Sequence, residues 1–140
     1  MRKRSFISSL VLLCWTACAG AQGTTASSQL EPRARTVFLR ALPRLDGTRL
    51  RVTTVEVTYP PGGASAPHSH PCPVIGYVLK GAVRMQVKGG TEAIYRAGDS
   101  FYEEANGIHM VSKNASATEA ATFLATFICD HVGLLSVKAP

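Results

Sequence analysis

Turn-forming residues interrupt this chain at close spacing, and beyond its N-terminal apolar run no helix-length segment shows a 3.6-residue period. Leu50 to Tyr59 (L-R-V-T-T-V-E-V-T-Y) is rich in β-branched residues and stops at Pro60-Pro61-Gly62-Gly63. Val74 to Lys80 ends at Gly81, a tight turn. Ala82 to Lys88 alternates, with Val83, Met85 and Val87 on one face and Arg84, Gln86 and Lys88 on the other. Gly89-Gly90 marks a hairpin, Thr91 to Tyr95 a short strand, and Ala97-Gly98-Asp99 a further turn. Ser100 to Glu103, Ile108 to Ser112 and Ala121 to Cys129 follow, with a polar loop at Asn114 to Thr118. Upstream, Thr36 to Leu42 reads as a first strand, ended by Pro43. Roughly eight short strands without a 3.6-residue apolar period predict an all-β sandwich or small barrel. The tail after His131 is mildly apolar and has no assigned element.

The N-terminus is read separately. Arg2, Lys3 and Arg4 precede a largely apolar run from Phe6 to Cys18, and Ala19-Gly20-Ala21 offers small residues for cleavage. This predicts a signal peptide over residues 1–21, cut after Ala21, and an exported, periplasmic or extracellular protein. The run is shorter than the roughly 20 residues of a membrane span. Cys18 follows Thr16-Ala17, but Trp15 stands where lipidation favours Leu. Residues 22–35, rich in Ser, Thr, Gly and Ala at their start, read as a flexible leader. The folded domain is expected over 36–131, with 132–140 as a tail.

Charge excludes one class of partner. Without residues 1–21 the chain has 12 Lys and Arg against 9 Asp and Glu, a net charge of +3. Six of those 12 are arginines between Arg33 and Arg51, and from Val52 onward six bases face seven acids. Scattered arginines with few aromatic neighbours form a solvated surface rather than a nucleic-acid interface. Cys72 and Cys129 are the cysteines left after cleavage, and export permits a bridge between them. Read one at a time, Cys129 ends an apolar run as a buried thiol, and Cys72 is a small residue in a proline-bracketed turn.

The chemistry lies in the histidines. His68 and His70 stand one residue apart, so in an extended segment both point to one side. His109 lies on a later strand that a closed all-β fold can bring opposite them. Three neutral imidazoles can hold one face of a divalent ion and leave other positions open. Imidazole suits Fe(II), Mn, Ni, Cu and Zn alike, so the ligands do not select the metal. His131 follows the last strand and reads as exposed.

These residues carry a family pattern. Gly62, His68, His70 and Gly81 match G-x5-H-x-H-x3/4-E-x6-G, and Gly98 and His109 match G-x5-P-x-G-x2-H-x3-N. The chain thus resembles the cupins over Arg51 to Asp130. The resemblance implies a double-stranded β-helix (jelly-roll) barrel with His68, His70 and His109 as metal ligands. It departs in four places: Val74 stands at the glutamate position, Glu104 at the proline, Asn106 at the glycine, and Asn114 one residue late. A three-histidine site leaves the ion's charge uncompensated and favours an anionic or chelating small molecule. Glu103, then Gln86, are candidates for a substitute oxygen ligand. By resemblance the function is an oxygen-dependent dioxygenase with Fe(II) favoured, in which Tyr102 or Glu103 assists proton transfer. Isomerase and lyase chemistry on the same barrel ranks lower. The alternative is a non-catalytic small-ligand or metal-binding cupin of the cell envelope, and the N-terminal strands offer a homodimer contact.

Overall fold

In the computed structural model, which describes residues 34–139, nine strands form and no helix does among those residues. They are β1 (Arg51–Tyr59), β2 (His68–Ser69), β3 (Val74–Lys80), β4 (Ala82–Val87), β5 (Ala93–Arg96), β6 (Ser100–Glu103), β7 (Ile108–Asn114), β8 (Ala121–Cys129) and β9 (Val137–Lys138). One antiparallel sheet has the order β1-β8-β3-β6 and the other β5-β4-β7-β2-β9. This is the all-β fold that the turn spacing predicts, in the two-sheet jelly-roll form that the resemblance implies. The expected signal peptide, and all of the leader before Ala34, lie outside the described residues.

Alternation decides which face each strand buries. On β8, Ala121, Phe123, Ala125, Phe127 and Cys129 are buried and the residues between them are half-buried. Val83 and Met85 on β4 and Phe101 and Glu103 on β6 face the same interior. Each is a period-2 pattern with one face towards the core. Gly76 on β3 is paired with Phe101 on β6, and the Phe101 ring lies across it. A Cβ added at Gly76 would fall 2.1 Å from the end of that ring. Gly76→Ala is therefore expected to cost about 1–3 kcal/mol through overpacking, read as a lower urea midpoint. An unchanged midpoint would contradict this account of the glycine. At Gly81 the chain passes from one sheet to the other with φ of +70°, a conformation that favours glycine.

Two expectations are corrected. Thr36 to Leu42 is not a strand. It touches β6 through side chains instead: Phe38 stacks on Tyr102 at 6.2 Å, and Arg40 pairs with Glu104 at 2.6 Å and covers the Tyr102 ring. Its backbone receives the Ser100 hydroxyl at the Val37 carbonyl, at 3.0 Å, but makes no ladder. The second correction concerns the cysteines. Cys72 and Cys129 are joined in a disulfide with Cα atoms 5.1 Å apart, tying the turn after His70 to the end of β8. The tail also has a place. β9 pairs with β2, matching Lys138 to His68 and Val137 to Ser69.

Candidate metal centre

Each sheet contributes to one cluster. From the five-stranded sheet, β2 and β7 pair with His68 opposite His109, and His70 follows at the end of β2. From the other sheet, Glu103 closes β6 opposite Val74 on β3. A carboxylate therefore stands beside Val74, on the neighbouring strand at the paired position. One nitrogen each from His70 and His109 and one Glu103 oxygen lie within 4.8 Å of one another.

Local structure aims these groups. Asn106 has φ of +64°, so it takes the left-handed turn that the family pattern gives to glycine, and its N–H bonds the His70 carbonyl at 2.6 Å. That turn leads into β7 and places His109 inward, 2% exposed. The Nδ1–H of His70 donates to the Leu135 carbonyl at 2.7 Å, which leaves its Nε2 as the lone-pair nitrogen. Nε2 lies 3.5 Å from Glu103 Oε2. His109 Nε2 lies 2.8 Å from the same oxygen.

The polar atoms do not satisfy one another. Despite the 2.8 Å approach, Glu103 Oε2 and both His109 ring nitrogens are buried without a hydrogen-bond partner among the described residues. A buried carboxylate oxygen without a donor is costly. A divalent cation answers Oε2 and Nε2 together, and two imidazoles with one carboxylate are a donor set that such ions accept. The residues therefore fit a metal.

Burial is the main force on His70 and lowers its pKa below the ordinary 6.5, against the Leu135 carbonyl and Glu103, which raise it. The unfolded chain protonates His70 below pH 6.5, where the fold still holds it neutral. The stability this contributes is present above pH 6.5 and lost as pH falls through the lower folded value. The metal-free protein should therefore melt at lower temperature as pH drops from about 7 to 5, with His70→Gln flattening that dependence. A His70→Gln profile parallel to wild type would contradict it. Protons and metal compete for the same nitrogen, so metal affinity should fall over the same range.

The other sequence candidates take different places. His68 lies beside the three-residue cluster, with its ring 4.9 Å from that of His70, and lines the same cavity. Its ring stacks on His109 at 5.1 Å and its Nδ1–H donates to the Ala66 carbonyl at 2.8 Å. Gln86 lies on the outward face of β4 and donates to the Gly90 carbonyl at 3.1 Å. Tyr102 lies on the face of β6 opposite Glu103, beneath Arg40, where burial and Glu104 raise its pKa. Strand alternation explains both, because each neighbours an inward residue. His131 pairs with Asp130 at 3.0 Å beside the disulfide.

A cavity of about 360 Å³ opens from the cluster. Val55, Val57, Met85, Phe123, Ala125 and Phe127 give it apolar walls, and His68, His70, His109 and Glu103 line one end. No lysine or arginine lines it among the described residues. No described helix is long and apolar enough to cross a membrane.

Residues 55–127 match the cupin-domain family model. No curated protein matches the chain. Solved structures are similar to it. One is a cupin-like protein from Thermotoga maritima, with 24% identity and a TM-score of 0.56 over 63% of this chain and 64% of that one. Another is the DMSP lyase DddQ from Ruegeria pomeroyi, with 18% identity and a TM-score of 0.55 over 62% of this chain and 42% of that one. A third is oxalate decarboxylase from Bacillus subtilis, with 28% identity and a TM-score of 0.55 over 62% of this chain and 23% of that one. That enzyme has Mn(II) centres. The chain spans less than two thirds of each relative's length.

Proposed function

This chain belongs to the cupin family, and on that premise we propose an exported, metal-dependent dioxygenase acting on a small molecule with one anionic or chelating oxygen group. His70, Glu103 and His109 would hold the ion. The observation that carries the reading is the approach of Glu103 Oε2 to His109 Nε2 at 2.8 Å with both atoms buried and unpartnered. Two imidazoles and a carboxylate favour Fe(II), with Mn(II) next. A bound ion would supply Lewis-acid activation of the ligand's oxygen group and, as iron, redox chemistry with O2.

The chain's own groups do the rest. Glu103 offsets one of the ion's two charges, so a singly charged ligand head completes neutrality. His68 lines the cavity with its Nδ1–H held by Ala66, and its Nε2 lone pair is the nearby acceptor for the proton that a neutral chelating head loses in becoming that anion. The apolar walls exclude water and orient the remainder of the ligand. Such walls, without Lys or Arg, suit neither oxalate nor any other small dianion. The disulfide supports export, because such bridges persist in oxidising compartments.

The test is metal content and oxygen uptake of the mature protein. Reconstitution with Fe(II) or Mn(II) should give one ion per chain in wild type and none in His109→Ala. Oxygen consumption with some member of a diketone and phenolic-acid panel supports the dioxygenase. Stoichiometric metal with no uptake across the panel leaves the non-catalytic, small-ligand cupin as the reading.

A further inference from the structure

The cavity carries a second polar locus. Tyr59 closes β1, Ser65 lies in the loop before β2, and Ser112 is on β7. The Tyr59 hydroxyl lies 2.6 Å from Ser65 Oγ and 2.9 Å from Ser112 Oγ, and all three residues line the cavity. The Ser65 N–H donates to the Ser112 carbonyl at 2.9 Å, so the backbone holds the two serines together.

Ser112 faces inward because of an irregularity. Ser112 is three residues from His109, an odd spacing that in a regular strand would put them on opposite faces. Between the Gln86–Val111 and Val87–His109 pairs the register shifts, leaving Met110 as the extra residue. This β-bulge turns both His109 and Ser112 into the interior while Met110 stays exposed. They lie opposite Val87 and Met85, two residues apart on β4, so the two are separated by roughly 7 Å at ordinary strand rise. The wall between them is apolar, formed in part by Met85, Phe123 and Ala125.

The three hydroxyls carry three protons, and their two mutual hydrogen bonds use two. The third O–H has no partner among the described residues. Hydroxyls rotate, so the cluster can turn that O–H, or a lone pair, to a neutral ligand oxygen in the cavity that all three residues line. A charged end has no Lys or Arg to meet. At about 360 Å³ the space is at the small end for ligand sites.

We propose that the cavity selects a short two-ended ligand: a singly anionic oxygen head at the metal centre, an apolar middle, and a neutral hydroxyl, carbonyl or ether oxygen at Tyr59, Ser65 and Ser112, with His109 and Ser112 roughly 7 Å apart along β7. The head half rests on the metal reading above; the distal half rests on the hydroxyl cluster. Benzoate and 4-hydroxybenzoate are the probes, since they share a carboxylate and a rigid apolar body and differ only in the distal hydroxyl. Titration calorimetry on the Mn(II)-loaded protein should find 4-hydroxybenzoate about tenfold tighter. In Tyr59→Phe and Ser112→Ala the preference should fall to about twofold or less. Mn(II) uptake by each variant, which uses none of these hydroxyls, reports an intact fold. Equal binding of the two acids by wild type, a preference that survives both substitutions, or no binding of either acid overturns the proposal while the metal reading stands. A wild type that takes up no Mn(II) overturns the metal reading, and the head half with it.

Discussion

Glu103→Ala is expected to weaken Mn(II) or Fe(II) binding by at least about a hundredfold, more than loss of a group that only orients a ligand. The same change should leave the metal-free protein as stable as wild type or more so, because it removes a buried carboxylate oxygen that has no donor. The two effects have opposite signs and are read in one experiment: thermal melts with and without metal. At an excess of about a hundred times the dissociation constant, wild type should gain about 2.7 kcal/mol from the ion, and Glu103→Ala almost none. Val74 faces Glu103 across the β3–β6 pair, so adding Val74→Glu to the alanine variant should restore part of the metal response. A Glu103→Ala protein that binds metal as wild type does would remove Glu103 from the centre.

Loss of the disulfide is the second large effect. Cys72 and Cys129 are 57 residues apart, and the chain-entropy account of a loop that size gives about 4 kcal/mol. The Cys72→Ser, Cys129→Ser double variant should therefore melt more than about 10 °C lower. Metal affinity should fall as well, because the bridge anchors the turn that follows His70. Reduction of wild type with a thiol should reproduce both shifts. A double variant that melts with wild type would show that the bridge adds no constraint to the fold.

The sequence was most readable where local rules and long-range pairing agree. Val74–Lys80, Ser100–Glu103 and Ala121–Cys129 form strands at the expected bounds, since alternation and flanking turn residues both define them. Thr36 to Leu42 has the same apolar character without a ladder partner, and composition alone does not show that difference. β2 and β9 have two residues each, too short for any periodic signal, yet they carry His68 and bring Leu135 to His70. Asn106 in place of glycine is explained by its left-handed φ. Asn114, one residue late, instead pins the loop after β7, donating to the Pro60 and Glu119 carbonyls.

The candidate site was half legible. His70 and His109 follow from the motif spacing, and Glu103 was the first choice for a substitute carboxylate. Its meeting with Val74 is a cross-strand register that no local pattern encodes. The position of His68 beside the cluster also depends on register, through its pairing with His109 and Lys138. The disulfide depends on the approach of the turn after His70 to the end of β8, a contact between distant segments.

A crystal of the protein grown with Mn(II) tests the central claim most directly, through anomalous scattering at the manganese edge. The account predicts one strong peak inside the barrel, about 2.0–2.3 Å from His70 Nε2, Glu103 Oε2 and His109 Nε2. A barrel with no peak, or a peak held by histidines with Glu103 turned away, would contradict it.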